Sequence, residues 1–451
     1  MSDGQDVVDR VFHVLVRERK DGSKDIRVDL PQVGNISNDG SQTSIRSVEK
    51  RFQKLSQSWT SAAIGFFEAA PILTQIGYYV AGAELADKAV DYVQKMALSE
   101  EDVDVDGEQL RRYTLKNDEL AILGKKLGKT SQVFRTAEIM KRSTLSALVS
   151  EYESLVAELL LIASELQPGA FKSADDKISF DDLEDYASIE ELKRAYLVSR
   201  IEDILIANSH KQVLDLIGKK FSVNLVSNEA MIAEFLEIFQ RRHLLIHAGG
   251  IVNKRYLRIC KEAGCKLDDL PKLGEKVAIT RKYLRQATAC VFQVGFFSLH
   301  ILWQKLCSES RELSHSSILE SSHDFLESDL TRMCGWLCDF ALNSNKKPKE
   351  VHQAYFYINK AQSYLFDPDI DESEKPKLIE GVLKKKDWSI KSPIVSLALD
   401  CLRRDTSKLS DRTAAAIKDG LTYQEAYTWN IFRNVRDLPD FKCHFPQQAD
   451  S

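Results

Sequence analysis

A mainly α-helical protein is predicted, with a helical bundle at its centre, a small N-terminal β-hairpin and a C-terminal array of short helices. Three observations carry this expectation. Apolar residues recur at three- and four-residue intervals over most of the chain, the spacing of a helical face. Only 10 prolines and 20 glycines interrupt 451 residues, so long helices are seldom broken. With 43% hydrophobic and 29% charged residues, there is enough apolar material for packed cores and none of the bias of a disordered chain. This length exceeds one ordinary core. The expected organisation is a hairpin and linker over 1–43, a helical region over 44–130, a helical-bundle domain over 131–310 and a helical array over 318–445.

In chain order, residues 11–16 and 25–30 flank a turn at Asp21-Gly22 and read as a hairpin, with His13 on one strand face. A polar linker at 34–43 follows. Helical spacing runs over 44–96, where Ala81-Gly82-Ala83 would let helices approach closely. The acidic run 99–108 reads as an exposed loop, and 113–126 returns to helical spacing. A long helix is expected over 136–166, with Leu145, Leu148, Tyr152, Leu155 and Leu159 on a broad apolar face, ended by Gln167-Pro168-Gly169. After an acidic loop at 173–185, one helix is expected from Ile189 through His210 to Lys220. His210 reads as a satisfied structural histidine.

A helix from Asn228 to the glycine pair at 249–250 follows, then a short amphipathic one over 253–263. The next, over 273–306, is almost wholly apolar from Ala287 to Trp303 and reads as the centre of a bundle or a subunit interface. Short helices are expected over 325–342, 349–364, 374–384, 392–404, 412–418 and 423–435. They read as an array of degenerate tetratricopeptide type, which would present a surface to a protein partner.

The first residues lack the basic-then-apolar pattern of a secretory signal. The apolar stretch 61–83 is interrupted by Glu68 and Pro71 and reads as buried helix, so a cytoplasmic protein without a membrane span is expected. All eight cysteines lie between Cys260 and Cys443 and read as reduced thiols. Cys334 and Cys338 are one turn apart without a second pair at zinc spacing, and Cys443-His444 is unaccompanied, so neither metal nor cofactor is expected. The formal net charge of -5 hides a basic stretch, since residues 241–290 hold twelve Lys or Arg against four Asp or Glu. Such a stretch suits a polyanionic partner.

Chemistry is expected at Arg241-Arg242-His243-Leu244-Leu245-Ile246-His247-Ala248-Gly249-Gly250. Ile232, Phe235, Leu236, Phe239 and Ile246 make one apolar face of the helix leading into it, and the two glycines stop it. At about 100° per residue, His243 falls inside that stripe, Arg242 and His247 lie along its edges, and Arg241 points to the opposite side. A cation and two imidazoles beside a core face break the local pattern, as functional sites do. His243 and His247 are also spaced to share a metal, but no third ligand follows the pair.

Arg242-His243-Leu244-Leu245-Ile246-His247 resembles the signature of HEPN domains: an arginine, a polar residue, three variable residues and a histidine. The likeness continues through Ala248-Gly249-Gly250-Ile251-Val252 and Tyr256-Leu257, and is similar to the version found in bacterial HEPN proteins linked to phage defence. Flanking segments at 146–152 and at Ser209-His210 extend it over roughly 131–306. The resemblance implies a HEPN-like helical bundle that forms a homodimer with the signature helices facing each other. It also implies a metal-independent endoribonuclease, a toxin or abortive-infection effector restrained by the rest of the chain. The tyrosine that some toxin members carry two residues after the histidine is absent, since Gly249 stands there.

Cleaving RNA without a metal requires a base for the ribose 2'-hydroxyl, charge stabilisation at phosphorus and an acid for the leaving 5'-oxygen. Histidine suits both proton transfers because it titrates near neutrality. The catalytic residues implied are His247 as general base or acid, its imidazolium favoured by the helix C-terminus, and Arg242 as the group that holds the scissile phosphate. His243 would orient substrate or His247. Lys254, Arg258 and Lys261 would carry the flanking RNA backbone through salt-sensitive contacts. The alternative expectation is a catalytically silent HEPN scaffold that dimerises and binds a partner.

Overall fold

The N-terminal hairpin forms with bounds shifted by about two residues: β1 (His13–Glu18) pairs antiparallel with β2 (Lys24–Asp29), His13 opposite Asp29. In this computed structural model the described residues are 13–18, 24–29, 45–81, 83–105, 108–116, 118–119, 122, 128–167, 169–171, 186–225, 228–344 and 346–445. The turn at Asp21-Gly22, the linker at 34–43, Gly82 and the acidic loop at 173–185 lie outside them. The hairpin belongs to one unit, Met1–Ser44, and everything that follows belongs to a second, Ile45–Ser451.

The second unit is mainly helical. It opens with α1 (Ile45–Ala81) and α2 (Ala83–Met96), followed by β3 (Ser99–Val105) and β4 (Glu108–Thr114). Here the acidic run is a strand and not the expected loop, and the start of the next stretch is a strand and not a helix. Pairing explains both, because Glu101 faces Arg112 and Asp102 faces Arg111, with ion pairs of 2.9 and 3.2 Å. Opposite charges across a ladder favour it where each strand alone has little apolar content.

Next come α3 (Gly128–Leu166), α4 (Ile189–Ala207), α5 (His210–Phe221), α6 (Glu229–His247), α7 (Lys254–Glu262) and α8 (Arg281–Leu306). The single helix expected from Ile189 to Lys220 is thus two. Ser209 starts the second with a capping box, its hydroxyl accepting from the Gln212 backbone N–H while the Gln212 side chain accepts from that of Ser209. The chain continues through α9 (Arg311–Glu327), α10 (Thr331–Leu342), α11 (Glu350–Leu365) and α12 (Lys375–Leu383) to α13 (Pro393–Arg403), α14 (Leu409–Lys418), α15 (Tyr423–Thr428) and α16 (Pro439–Lys442). The helix expected over 325–342 is interrupted at Asp329, which adopts a left-handed conformation with φ 54°.

The core is organised on α8, which packs against α1, α3, α6 and α9. Trp59 of α1 lies so close to Gly295 that a Cβ there would stand 2.3 Å from the indole, and the Trp59 Nε1 donates to the Phe292 carbonyl at 3.1 Å. α1 therefore shares one apolar core with α3 and α8, and that core is continuous across residue 130. A second apolar cluster, from Ile358 to Phe445, joins α11 to the helices after it. Among the described residues α8 is the one helix long and apolar enough to cross a membrane, and 72% of its most apolar window is buried within the protein.

A polar seam runs through this core. His300 of α8 is fully buried between the hydroxyls of Ser56 at 3.3 Å and Ser314 at 3.0 Å. Burial, and then the neighbouring His315, push its pKa down to about 3. An unfolded chain binds that proton near pH 6.5. Between the two values the unfolded state carries a proton that the folded state lacks, so stability is lost as pH falls from about 6.5 toward 3. In urea unfolding at pH 7 and pH 5, the wild type should lose about 2 kcal/mol more than His300→Gln. Equal losses would show that His300 is not held neutral.

Candidate functional site

Helix α6 carries the stretch singled out in the sequence. Asn228 caps its start, the side-chain oxygen accepting from the N–H groups of Ala230 and Met231. Phe235 and Phe239 pack edge-on against Tyr152 of α3, which fixes one face in the core. The opposite face is also covered, contrary to the wheel. Arg241, expected to point away, is only 9% exposed, whereas Ile246, expected in the stripe, is 48% exposed.

A charged network fills that second face. The Glu237 carboxylate accepts from Arg241 Nε at 2.7 Å, from the Tyr256 hydroxyl and from the Tyr283 hydroxyl at 2.9 Å. The Arg241 guanidinium lies 3.9 Å from the centre of the Tyr283 ring and donates to the Ala278 carbonyl at 3.0 Å. Both charges are thus paired, as buried charges must be. Helix α6 is pinned to α7 and α8 on this side, which leaves His243, Ile246 and His247 on the remaining, more open face.

The end of α6 is shaped by its two glycines. Gly249 and Gly250 adopt φ of 60° and 81°, and the Leu244 carbonyl accepts from the N–H groups of Ala248 and Gly250. The chain then runs alongside residues 274–277, with Val277 N–H donating to the Gly250 carbonyl and Val252 N–H to that of Glu275, both at 2.8 Å. Asn253 caps α7, and Tyr256 anchors it to Glu237. This anchoring brings the preceding Arg255 within electrostatic range of His243.

Four groups from the signature and its surroundings therefore meet. The rings of His243 and His247 lie 4.7 Å apart, centre to centre. Burial, followed by the charges of His247, Arg255 and Arg242, holds the His243 pKa below the ordinary histidine value. The Arg242 Nε is buried and finds no hydrogen-bond partner among the described residues. Arg242 also acts on Glu153 of α3, whose pKa is lowered first by its hydrogen bond with His210 and, more weakly, by the Arg242 charge. His210, read from the sequence as structural, pairs with Glu153 at 3.1 Å and packs on Phe239 with ring centres 3.8 Å apart.

Arg242, His243 and His247 are gathered together, while Lys254, Arg258 and Lys261 are exposed on α7. Arg258 pairs with Glu262 at 3.3 Å, an exposed contact that contributes little. Sequence reasoning missed Arg255, the Glu153–His210 pair and the Glu237 network. Only the last had a local signal, the four-residue spacing of Glu237 and Arg241.

A guanidinium beside two imidazoles has the chemistry to bind an oxyanion and move protons near neutral pH. The described residues hold one cluster with metal-ligating geometry, His323, Asp324 and Glu327 on α9, and it does not include His243 or His247. Burial raises the thiol pKa of Cys260 to about 12 and that of Cys290 and Cys334 well above the ordinary range, so these cysteines are poor nucleophiles.

Glu237→Ala should destabilise the protein by about 3–5 kcal/mol in urea unfolding, because it leaves Arg241 buried without its carboxylate. A loss below about 1 kcal/mol would show that the network does not hold α6, α7 and α8 together.

No protein-family model, curated protein or solved structure matches this chain.

Proposed function

We propose that this chain is a metal-independent endoribonuclease of HEPN type that works as a homodimer and serves as a restrained, toxin-like effector of phage defence. One observation carries the catalytic part. Arg242, His243 and His247 stand near Arg255 of α7, and among the described residues none of the four forms an ion pair with a carboxylate, Glu153 reaching Arg242 only through its field, while the adjacent Arg241 is held by Glu237 in the interior. A scaffold that used these residues only to join subunits has no need of such a difference. The defence role and the dimer rest on the resemblance to HEPN domains.

In the reaction, the ribose 2'-oxygen attacks phosphorus and the bond from phosphorus to the 5'-oxygen breaks, giving a 2',3'-cyclic phosphate and a 5'-hydroxyl. Arg242, joined by Arg255, holds the phosphate and stabilises charge on its non-bridging oxygens. His247 moves a proton as base or acid, and the corresponding residue of the second subunit takes the other role. His243, whose pKa is lowered by burial and then by His247, Arg255 and Arg242, orients its partner histidine or accepts a proton from it. Lys254, Arg258 and Lys261 carry the flanking RNA backbone. The helices from α10 to α14, each packed on the next, offer the surface on which a regulatory protein acts, in an array of tetratricopeptide-like character. A cytoplasmic location would give such an enzyme access to its RNA substrate.

Purified wild type, Arg242→Ala and His247→Ala should be incubated with RNA in EDTA. Cleavage by the wild type, reduced at least about 100-fold in both variants with fold and assembly unchanged, is the expected result. Cleavage abolished by EDTA, or no cleavage by activated wild type, would contradict the proposal; the latter outcome would favour a catalytically silent scaffold.

A further inference from the structure

A cavity of about 390 Å³ opens between α3, α4 and α5. Its size lies within the roughly 300–1,000 Å³ usual for small-molecule sites. Tyr152, Val156, Leu205 and Val213 supply apolar and aromatic lining, and Ile206, 85% exposed, contributes an apolar side chain with little cover from the protein. The polar lining is Glu153, Glu202, Asn208 and His210.

Two of these polar groups are carboxylates, which when ionised only accept hydrogen bonds. The Asn208 amide nitrogen gives one of its two hydrogens to the Ile204 carbonyl at 2.8 Å, so the side chain keeps an acceptor oxygen and one donor. His210 Nε2 is engaged with one oxygen of Glu153, so the other carboxylate oxygen is left to accept. Glu202 is exposed and forms no ion pair among the described residues. His210, bonded to Glu153 on the cavity wall, packs on Phe239, about one helical turn before Arg242 on α6, and the Glu153 carboxylate feels the Arg242 charge, which ties this cavity to the proposed phosphate site.

Single-stranded RNA is read by enclosing an unstacked base and bonding its Watson–Crick edge. Guanine alone among the four bases presents two adjacent donors there, N1–H and N2–H2, the arrangement that fits one carboxylate with two parallel bonds. Adenine and cytosine set a ring acceptor next to their amino group, and uracil sets its single donor between two carbonyls. A carboxylate facing any of these three meets an acceptor.

We propose that this cavity is a guanine-binding subsite for the nucleotide adjoining the phosphate at Arg242, with the two oxygens of the Glu202 carboxylate reading N1–H and N2–H2 and the free oxygen of Glu153 as a further acceptor. The assignment rests on the ribonuclease reading. A guanosine 3'-monophosphate would place its phosphate at Arg242 and its base among Glu153, Glu202 and Asn208. Glu202 determines base preference, and Arg242 holds the phosphate common to all nucleotides.

The test is equilibrium binding of the 3'-monophosphates of guanosine, adenosine, cytidine and uridine to the full chain, for wild type, Glu202→Gln and Arg242→Ala, together with mapping of RNA cleavage positions. The wild type should bind the guanosine nucleotide at least about tenfold more tightly than the others, the value of a good bidentate contact. Glu202→Gln should remove that preference while its affinity for the other three stays the same, and Arg242→Ala should weaken all four. Equal affinity for the four, no binding of any, or a preference that survives Glu202→Gln overturns the guanine subsite. Guanosine preference without RNA cleavage overturns the ribonuclease reading and leaves a guanine nucleotide site, whereas cleavage without base preference overturns the subsite and leaves the ribonuclease.

Discussion

The buried carboxylate of Glu237 is the constraint on which the site depends. An ionised group in the interior is costly unless each of its lone pairs finds a donor, and Glu237 gathers three donors from three helices: Arg241 of α6, Tyr256 of α7 and Tyr283 of α8. Their geometry fixes the rotation of α6 about its axis. With Arg241 turned inward, the adjacent Arg242 and the histidines at 243 and 247 are carried to the other side of the helix. The same bond to Tyr256 sets where α7 starts, and so where Arg255 sits.

Around this polar joint the protein is a conventional apolar core. Helix α8 runs through it, touching α1, α3, α6 and α9, and the close seat of Trp59 on Gly295 shows how tightly α1 is joined to the rest. The core thus positions α6 from its Phe235–Phe239 side while Glu237 positions it from the other. A helix held on two sides can present a third without much motion, which is the pre-organisation that the proposed ribonuclease site would require. The glycines at 249 and 250 complete the frame by turning the chain back along residues 274–277.

Much of the helical fold was legible. The apolar face of α3, the Asn228 cap of α6, the glycine stop and the short amphipathic α7 are local features, written in spacing and capping residues. What could not be read locally was decided by pairing between distant segments. The acids at 101 and 102 became a strand because Arg112 and Arg111 stood across from them. Arg241 looked solvent-facing because a helical wheel contains one core side, whereas α6 has two covered sides, the second lined by a carboxylate and tyrosines from elsewhere in the chain. Of the site, Arg242, His243 and His247 were legible from the break in apolar patterning. Arg255, Glu153 and His210 were not, because they reach the signature only through the packing of α7, α3 and α5 around α6.

Whether these residues break RNA through its own 2'-hydroxyl, as proposed, is decided by one change of substrate. An RNA cleaved at a mapped position should be compared with the same RNA carrying a single 2'-deoxy nucleotide there, in EDTA, with the product ends identified by mass. Under the proposed mechanism cleavage at that position should stop, and the unmodified RNA should yield a 2',3'-cyclic phosphate and a 5'-hydroxyl. Undiminished cleavage of the deoxy substrate, or products bearing a 5'-phosphate, would contradict it.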